Sequence, residues 1–293
     1  MKSAFIAIPA ILALISTSTF ASEKVIYGSD NRKDLFEVTN PLHAKLAQST
    51  VALIRKNDMT QSASGMLRIF ASSLQNAMGV CQKERFAEQP TGAFCSGSLI
   101  GKNLMLTAGH CITSMSDCQS TNFVFNYAVS KQGSFPKEVQ SNDVVGCKNI
   151  IYRVQEGNGA DFAIIELERT IIHREPLKMA NRSITNELKR GEKILMIGHP
   201  SGLPTKLDDG GTVRDNSPRG YFSATTDSYG GNSGSAVFNL TTGEIEGVLV
   251  RGETDYVLQN GCYVSKVCNE SGCRGEDVTK ISSVLPKMPA NLE

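Results

Sequence analysis

Gly230-Gly231-Asn232-Ser233-Gly234-Ser235, taken together with Thr107-Ala108-Gly109-His110-Cys111 upstream, decides how this chain is read. A serine hydroxyl is a weak nucleophile until an imidazole takes its proton, and a glycine bend lets backbone amides face a developing oxyanion. The combination points to acyl transfer: Ser233 as nucleophile, His110 as general base, and the amides of Gly231 and Ser233 as the oxyanion hole. Such a pair needs a carboxylate to orient the imidazole. Asp161 is the candidate, because it stands at the lip of the apolar run Asp161-Phe162-Ala163-Ile164-Ile165-Glu166-Leu167. Asp143 is the runner-up, but it lies in the polar turn Ser141-Asn142-Asp143, and the apolar run after it is broken by Gly146 and Lys148.

Each piece has a plainer reading by itself: a Gly-rich hairpin, a surface histidine, a turn acid before a buried strand. Their order, His then Asp then Ser, sets them apart, since α/β-hydrolases run Ser, Asp, His and subtilisins Asp, His, Ser. Cys95-Ser96-Gly97-Ser98-Leu99-Ile100 followed by Leu104-Met105-Leu106-Thr107-Ala108-Gly109-His110-Cys111 resembles the strand pair that leads to the catalytic histidine of the trypsin/chymotrypsin-like serine proteases. The resemblance implies an all-β fold of two antiparallel six-stranded β-barrels with a C-terminal helix. His110 and Asp161 would come from the first barrel and Ser233 from the second. It also implies a disulfide between Cys95 and Cys111.

One departure is Asn232, where animal digestive enzymes carry an aspartate that pairs with a newly cleaved N-terminal amine; that switch is absent here. Asn-Ser-Gly-Ser, and Val25-Ile26-Tyr27-Gly28-Ser29-Asp30-Asn31-Arg32 as a mature start, are instead similar to the bacterial glutamyl endopeptidase-like branch. The two resemblances disagree about substrate. Asp227, six residues before Ser233, falls where trypsin-like enzymes hold the acid of the primary pocket, and Ser228 matches the next position, which implies cleavage after Arg or Lys. The acid-binding histidine of the glutamyl branch would fall near Leu249 and is missing. Arg251, in place of a usual glycine, either neutralises Asp227 or offers a cation to an acidic substrate; its plain reading is an exposed strand-end arginine.

Met1-Lys2, the apolar stretch from Ala4 to Ile15 and Ser18-Thr19-Phe20-Ala21 read as a signal peptide, residues 1–21, so export is expected. A stable membrane anchor is not, since so short an apolar run containing Pro9 is a poor span. Residues 22–24 read as a short pro-segment, with a cut after Lys24 creating a new amine on Val25, and 25–293 as one protease domain. Eight cysteines in an exported chain favour disulfides over a metal site. Cys118 and Cys147 bracket the strand-like stretch Asn122 to Val129 and are paired on that ground; Cys81, Cys262, Cys268 and Cys273 keep three connectivities open. A metal cluster of Cys262, Cys268 and Cys273 with a histidine is the weaker reading.

Thirty basic against twenty-nine acidic side chains give no field that would recruit nucleic acid or an anionic membrane. The mild cluster Lys189, Arg190 and Lys193 is interleaved with Glu187 and Glu192 and reads as a solvated loop. Strands are expected at Ser49 to Ile54, Ser98 to Leu106, Phe123 to Ala128, Phe162 to Leu167, Ile194 to Gly198, Ala236 to Asn239 and Ile245 to Val250. Leu67 to Met78 reads as a helix or an insertion, Val278 to Leu285 as the C-terminal helix, and Arg169 to Leu188 as the crossover between barrels. His199-Pro200-Ser201-Gly202 reads as a strand-to-loop turn, and His43 and His173 have no catalytic context. The expectation is a secreted or periplasmic, monomeric serine endopeptidase acting on proteins or peptides, with no organic cofactor and no metal. A catalytically silent homologue that binds a partner is the alternative from another class.

Overall fold

The computed structural model describes residues 25–183 and 185–290. The expected signal peptide and pro-segment lie outside them. Short β-branched and apolar runs become strands because their side chains fit a pleated, buried surface, and the Gly, Pro, Asn and Asp between them turn the chain. Six such runs close into a barrel: Thr50–Arg55, Cys95–Gly101, Leu104–Thr107, Asp161–Leu167, Val144–Gln155 and Thr121–Val124, each antiparallel to its neighbours. Closure leaves the ring without an unpaired edge.

The second half departs from a plain six-stranded barrel. It is an eight-stranded sheet in the order Val213–Asp215, Tyr221–Ala224, Glu276–Lys280, Ile245–Arg251, Ala236–Asn239, Ile194–Gly198, Lys206–Asp208 and Arg32–Asp34. It curls until Lys193 and Thr212 form a single antiparallel bridge, which brings the first strand back beside the sixth. The last two strands extend beyond that ring, and one of them comes from the N-terminal part of the chain.

Continuous apolar runs in the second half reflect burial on both faces. Leu195, Ile197, Ala236, Phe238, Val248 and Val250 belong to a core shared with Val51, Leu53, Phe123 and Ile164 of the first barrel. The alternate residues Ile194, Met196, Val237 and Leu249 pack with Phe222 and Val278 in a core of their own. The two halves are therefore joined by packed side chains, and the cleft between them is set by that contact.

Several boundaries differ from expectation. Ser98 to Leu106 divides into Cys95–Gly101 and Leu104–Thr107. Leu67 to Met78 is a strand, Leu67–Ile69, and then a helix, Leu74–Met78, capped by the Ser73 side chain and ended by Gly79 with φ +67°. The C-terminal helix is shorter than expected, because 276–280 extend the second sheet and only Ile281–Val284 are α-helical. The crossover contains no strand between Leu167 and Ile194 among the described residues. Cys95–Cys111 and Cys118–Cys147 are disulfides, and the remaining four cysteines pair as Cys81–Cys262 and Cys268–Cys273. No helix among the described residues is long and apolar enough to cross a membrane.

Candidate active site

His110 follows the strand Leu104–Thr107 in a turn that only glycine at 109 permits: a Cβ there would stand 2.1 Å from the Val154 carbonyl oxygen. The turn brings His110 to the first residue of the strand Asp161–Leu167. Asp161 Oδ1 accepts the His110 backbone N–H at 3.1 Å, and Asp161 Oδ2 lies 2.8 Å from His110 Nδ1. An ionised carboxylate only accepts, so Nδ1 carries the proton and Nε2 is left as the basic nitrogen. The acid side chain is 4% exposed and the imidazole 27%, so the pair is oriented from below and open above.

Asp161 is also gripped from the other half of the molecule. Its N–H donates to Thr279 Oγ1, and the Thr279 hydroxyl donates to the Asp161 carbonyl, both at 3.0 Å. Thr279 lies in Glu276–Lys280 of the second sheet, so the acid is fixed across the interface. Thr279→Val is expected to leave both Asp161 backbone groups unpaired, costing about 1–3 kcal/mol of stability and about tenfold in turnover. Chemical denaturation and kcat measured side by side check this; unchanged values for both would remove the clamp from the account.

Ser233 is 4% exposed and sits where the second half touches the histidine loop. Its carbonyl oxygen accepts from Ser96 N–H at 2.8 Å and lies 3.7 Å from the Cys111 sulfur. Ser96 is the hub of this contact. Its hydroxyl donates to the Gly231 carbonyl (3.2 Å) and accepts from His199 N–H (3.0 Å), while its own carbonyl accepts from Thr107 Oγ1 (2.7 Å). Gly234, with φ +89°, lets the chain pass so close that a Cβ would fall 2.0 Å from Ser96 O and 2.4 Å from Thr107 Oγ1. Gly231 has φ +83°, and a Cβ there would reach 2.8 Å from Gly202 N. Asn232 is buried and internally satisfied: its Nδ2 donates to Ser228 Oγ and its Oδ1 accepts from Ser235 Oγ.

The residues that sequence assigned to the substrate are held within the chain. Asp227 accepts from Tyr27 N–H (2.8 Å) and Asn31 N–H (2.7 Å); burial beside Asp208 raises its carboxyl, and the two backbone donors oppose that rise. Ser228 is buried, and its N–H donates to the Val25 carbonyl. The Arg251 guanidinium is 3.1 Å from Asp277 and donates to the carbonyls of Gly159 and Glu156. One other acid, not singled out in the sequence, comes close to the serine turn. Asp255 Oδ2 accepts Gly230 N–H at 2.8 Å.

His199 is buried in the 199–202 turn that Gly231 packs against; burial lowers its imidazole to about 3 and keeps it neutral, facing the Leu203 carbonyl. Cys95, His110 and Cys111 present their ligand atoms within 4.8 Å of one another, but the two sulfurs are bonded to each other and offer no thiolate.

A closed antiparallel barrel beside a curled antiparallel sheet, with His and Asp on the first and Ser on the second, defines the chymotrypsin-like architecture. Residues 95–248 match the family model of the trypsin-like peptidase domain, and the chain belongs to that family. Among solved structures, the VesB protease of Vibrio cholerae is 17% identical with a TM-score of 0.53, over 90% of this chain and 66% of that one. The present chain thus spans just under two thirds of that protein. A Glu endopeptidase is also 17% identical, with a TM-score of 0.49, over 90% of this chain and 96% of the other. No curated protein sequence matches the chain.

Proposed function

We propose that this chain is an exported serine endopeptidase that hydrolyses peptide bonds through an acyl-enzyme on Ser233. The observation that carries the reading is the double grip of Asp161 on the His110 backbone and ring, set beside the Ser233 turn through Ser96. His110 takes the Ser233 proton as the hydroxyl attacks the carbonyl, and gives it to the leaving amine as the tetrahedral adduct collapses. Water then enters, His110 takes its proton, and the ester on Ser233 is hydrolysed. The Gly231 and Ser233 amides receive the oxyanion in both steps. Four disulfides support export, because oxidising compartments form them. A fluorophosphonate probe is expected to label the folded protein and not its Ser233→Ala variant. A folded protein that takes no label would favour the silent homologue that binds a partner.

Cleavage after Arg or Lys is the preferred specificity, with Asp255 as the side chain that supports it. Asp255 lies against Gly230, three residues from the nucleophile. An acid beside the substrate cleft attracts a cationic side chain. The glutamyl alternative would draw on Arg251, whose charge is already met by Asp277. In a mixed peptide library, cuts are expected after Arg and Lys, and Asp255→Asn should reduce kcat/KM for those peptides by about 10-fold while sparing neutral ones. Cuts after Glu would transfer the specificity role to Arg251.

A further inference from the structure

Asp227 stands at the head of the run that ends in the nucleophile, and what it touches is the N-terminal part of the chain. Its two carboxylate oxygens take one backbone N–H each, from Tyr27 and Asn31, at 2.8 and 2.7 Å. The next residue continues the seam, with Ser228 N–H donating to the Val25 carbonyl at 3.1 Å. The far edge of the same segment is fastened too. Ile26–Tyr27 runs parallel to Val267–Cys268, Ile26 N–H reaches Lys266 O, Gly28 N–H reaches Cys268 O, and the Tyr27 hydroxyl accepts from Gly275 N–H. At its end Arg32, 2% exposed, is balanced by Asp30 and stacks on Tyr229 with its guanidinium carbon 4.3 Å from the ring centre. The Tyr229 carbonyl in turn accepts the N–H of Asn232, the residue before Ser233.

We propose that Asp227 is a positioning residue for the nucleophile turn: it bolts the segment Val25–Arg32 to the run 227–232, so that the N-terminal part of the chain forms the base on which Ser233 is presented. The inference rests on the reading of Ser233 as nucleophile. Gly230, Gly231 and Gly234 give this turn more backbone freedom than any other side chains would, and an oxyanion hole demands that its amides be held within about 0.5 Å of the productive geometry. Bracing must therefore come from outside the turn. Asp227 supplies it through acceptors that match two fixed donors. A carboxylate spent on backbone amides is a poor partner for a substrate cation, which separates this role from a specificity role.

The test compares wild type with Asp227→Asn, which puts an amide donor against one of the two backbone N–H groups. The probe is a small alkyl fluorophosphonate, which reports on nucleophile and oxyanion hole without any charged side chain. Its labelling rate is expected to fall about 10–10²-fold, with kcat falling alongside, KM for Arg and Lys peptides within about twofold, and the library ranking unchanged. Wild-type labelling with a selective loss of cleavage after Arg and Lys would place Asp227 in the substrate pocket and overturn the proposal. Should Asp227→Asn not fold, Asn31→Pro removes one donor and leaves the carboxylate in place; an unchanged labelling rate there also overturns it. Wild-type protein that takes no label removes the nucleophile reading itself, and the inference with it.

Discussion

Ser233→Ala is expected to lower kcat by about 10⁶-fold while leaving the fold intact. The substitution removes one oxygen and leaves the backbone contacts of the turn in place: the Ser233 carbonyl still accepts from Ser96, and the neighbouring Gly234 N–H still donates to Leu249 O. Stability should therefore stay within about 0.5 kcal/mol of wild type. A residual rate about 10³-fold above uncatalysed hydrolysis should remain, since the oxyanion hole and substrate binding survive. Steady-state kinetics with an active-site titration checks this. A variant that keeps more than a hundredth of the wild-type kcat would mean that the chemistry is carried elsewhere.

Asp161→Asn follows, at about 10⁴-fold in kcat. Asp161 uses one oxygen for the His110 backbone and the other for Nδ1. An asparagine has only one acceptor oxygen, so either the turn or the ring loses its partner. If the ring faces the new NH₂ group it must present a bare Nδ1, and the proton moves to Nε2, where a base is needed. The imidazolium formed during attack also loses its counter-charge. Transient kinetics should show slow acylation with KM little changed, and NMR of the imidazole should show the exchanged tautomer. Activity within tenfold of wild type would exclude Asp161 as the orienting acid.

The barrel strands were legible because their apolar runs are short and sharply bounded: Ile194–Gly198 and Ala236–Asn239 fall where the pattern places them. Ser98 to Leu106 misled because Leu99, Ile100 and Leu104 are apolar on both sides of a tight turn, and periodicity does not register a reversal two residues long. Val278 was read as helix because the apolar spacing through Leu285 suits either state, and pairing with Tyr221–Ala224 and Ile245–Arg251 settled it as strand. The meeting of His110 and Asp161 followed from motif order. Thr279 did not, since a threonine 118 residues from Asp161 carries no local mark of its partner. Asp227 shows the same limit in reverse: its spacing from Ser233 is plain in the sequence, but whether a substrate or the chain itself meets its oxygens depends on where Val25–Asn31 lies.

The Cys81–Cys262 bond joins positions 181 residues apart. A protease is surrounded by copies of itself, and its exposed loops are the first substrates it meets. A single cut in the crossover, or anywhere from 148 to 261, would leave two pieces of chain still covalently tied, with His110 and Asp161 kept on the same particle as Ser233. Nicked protein should therefore run as one band without reductant and as two with it, so that self-digestion scars the molecule before it dismantles it.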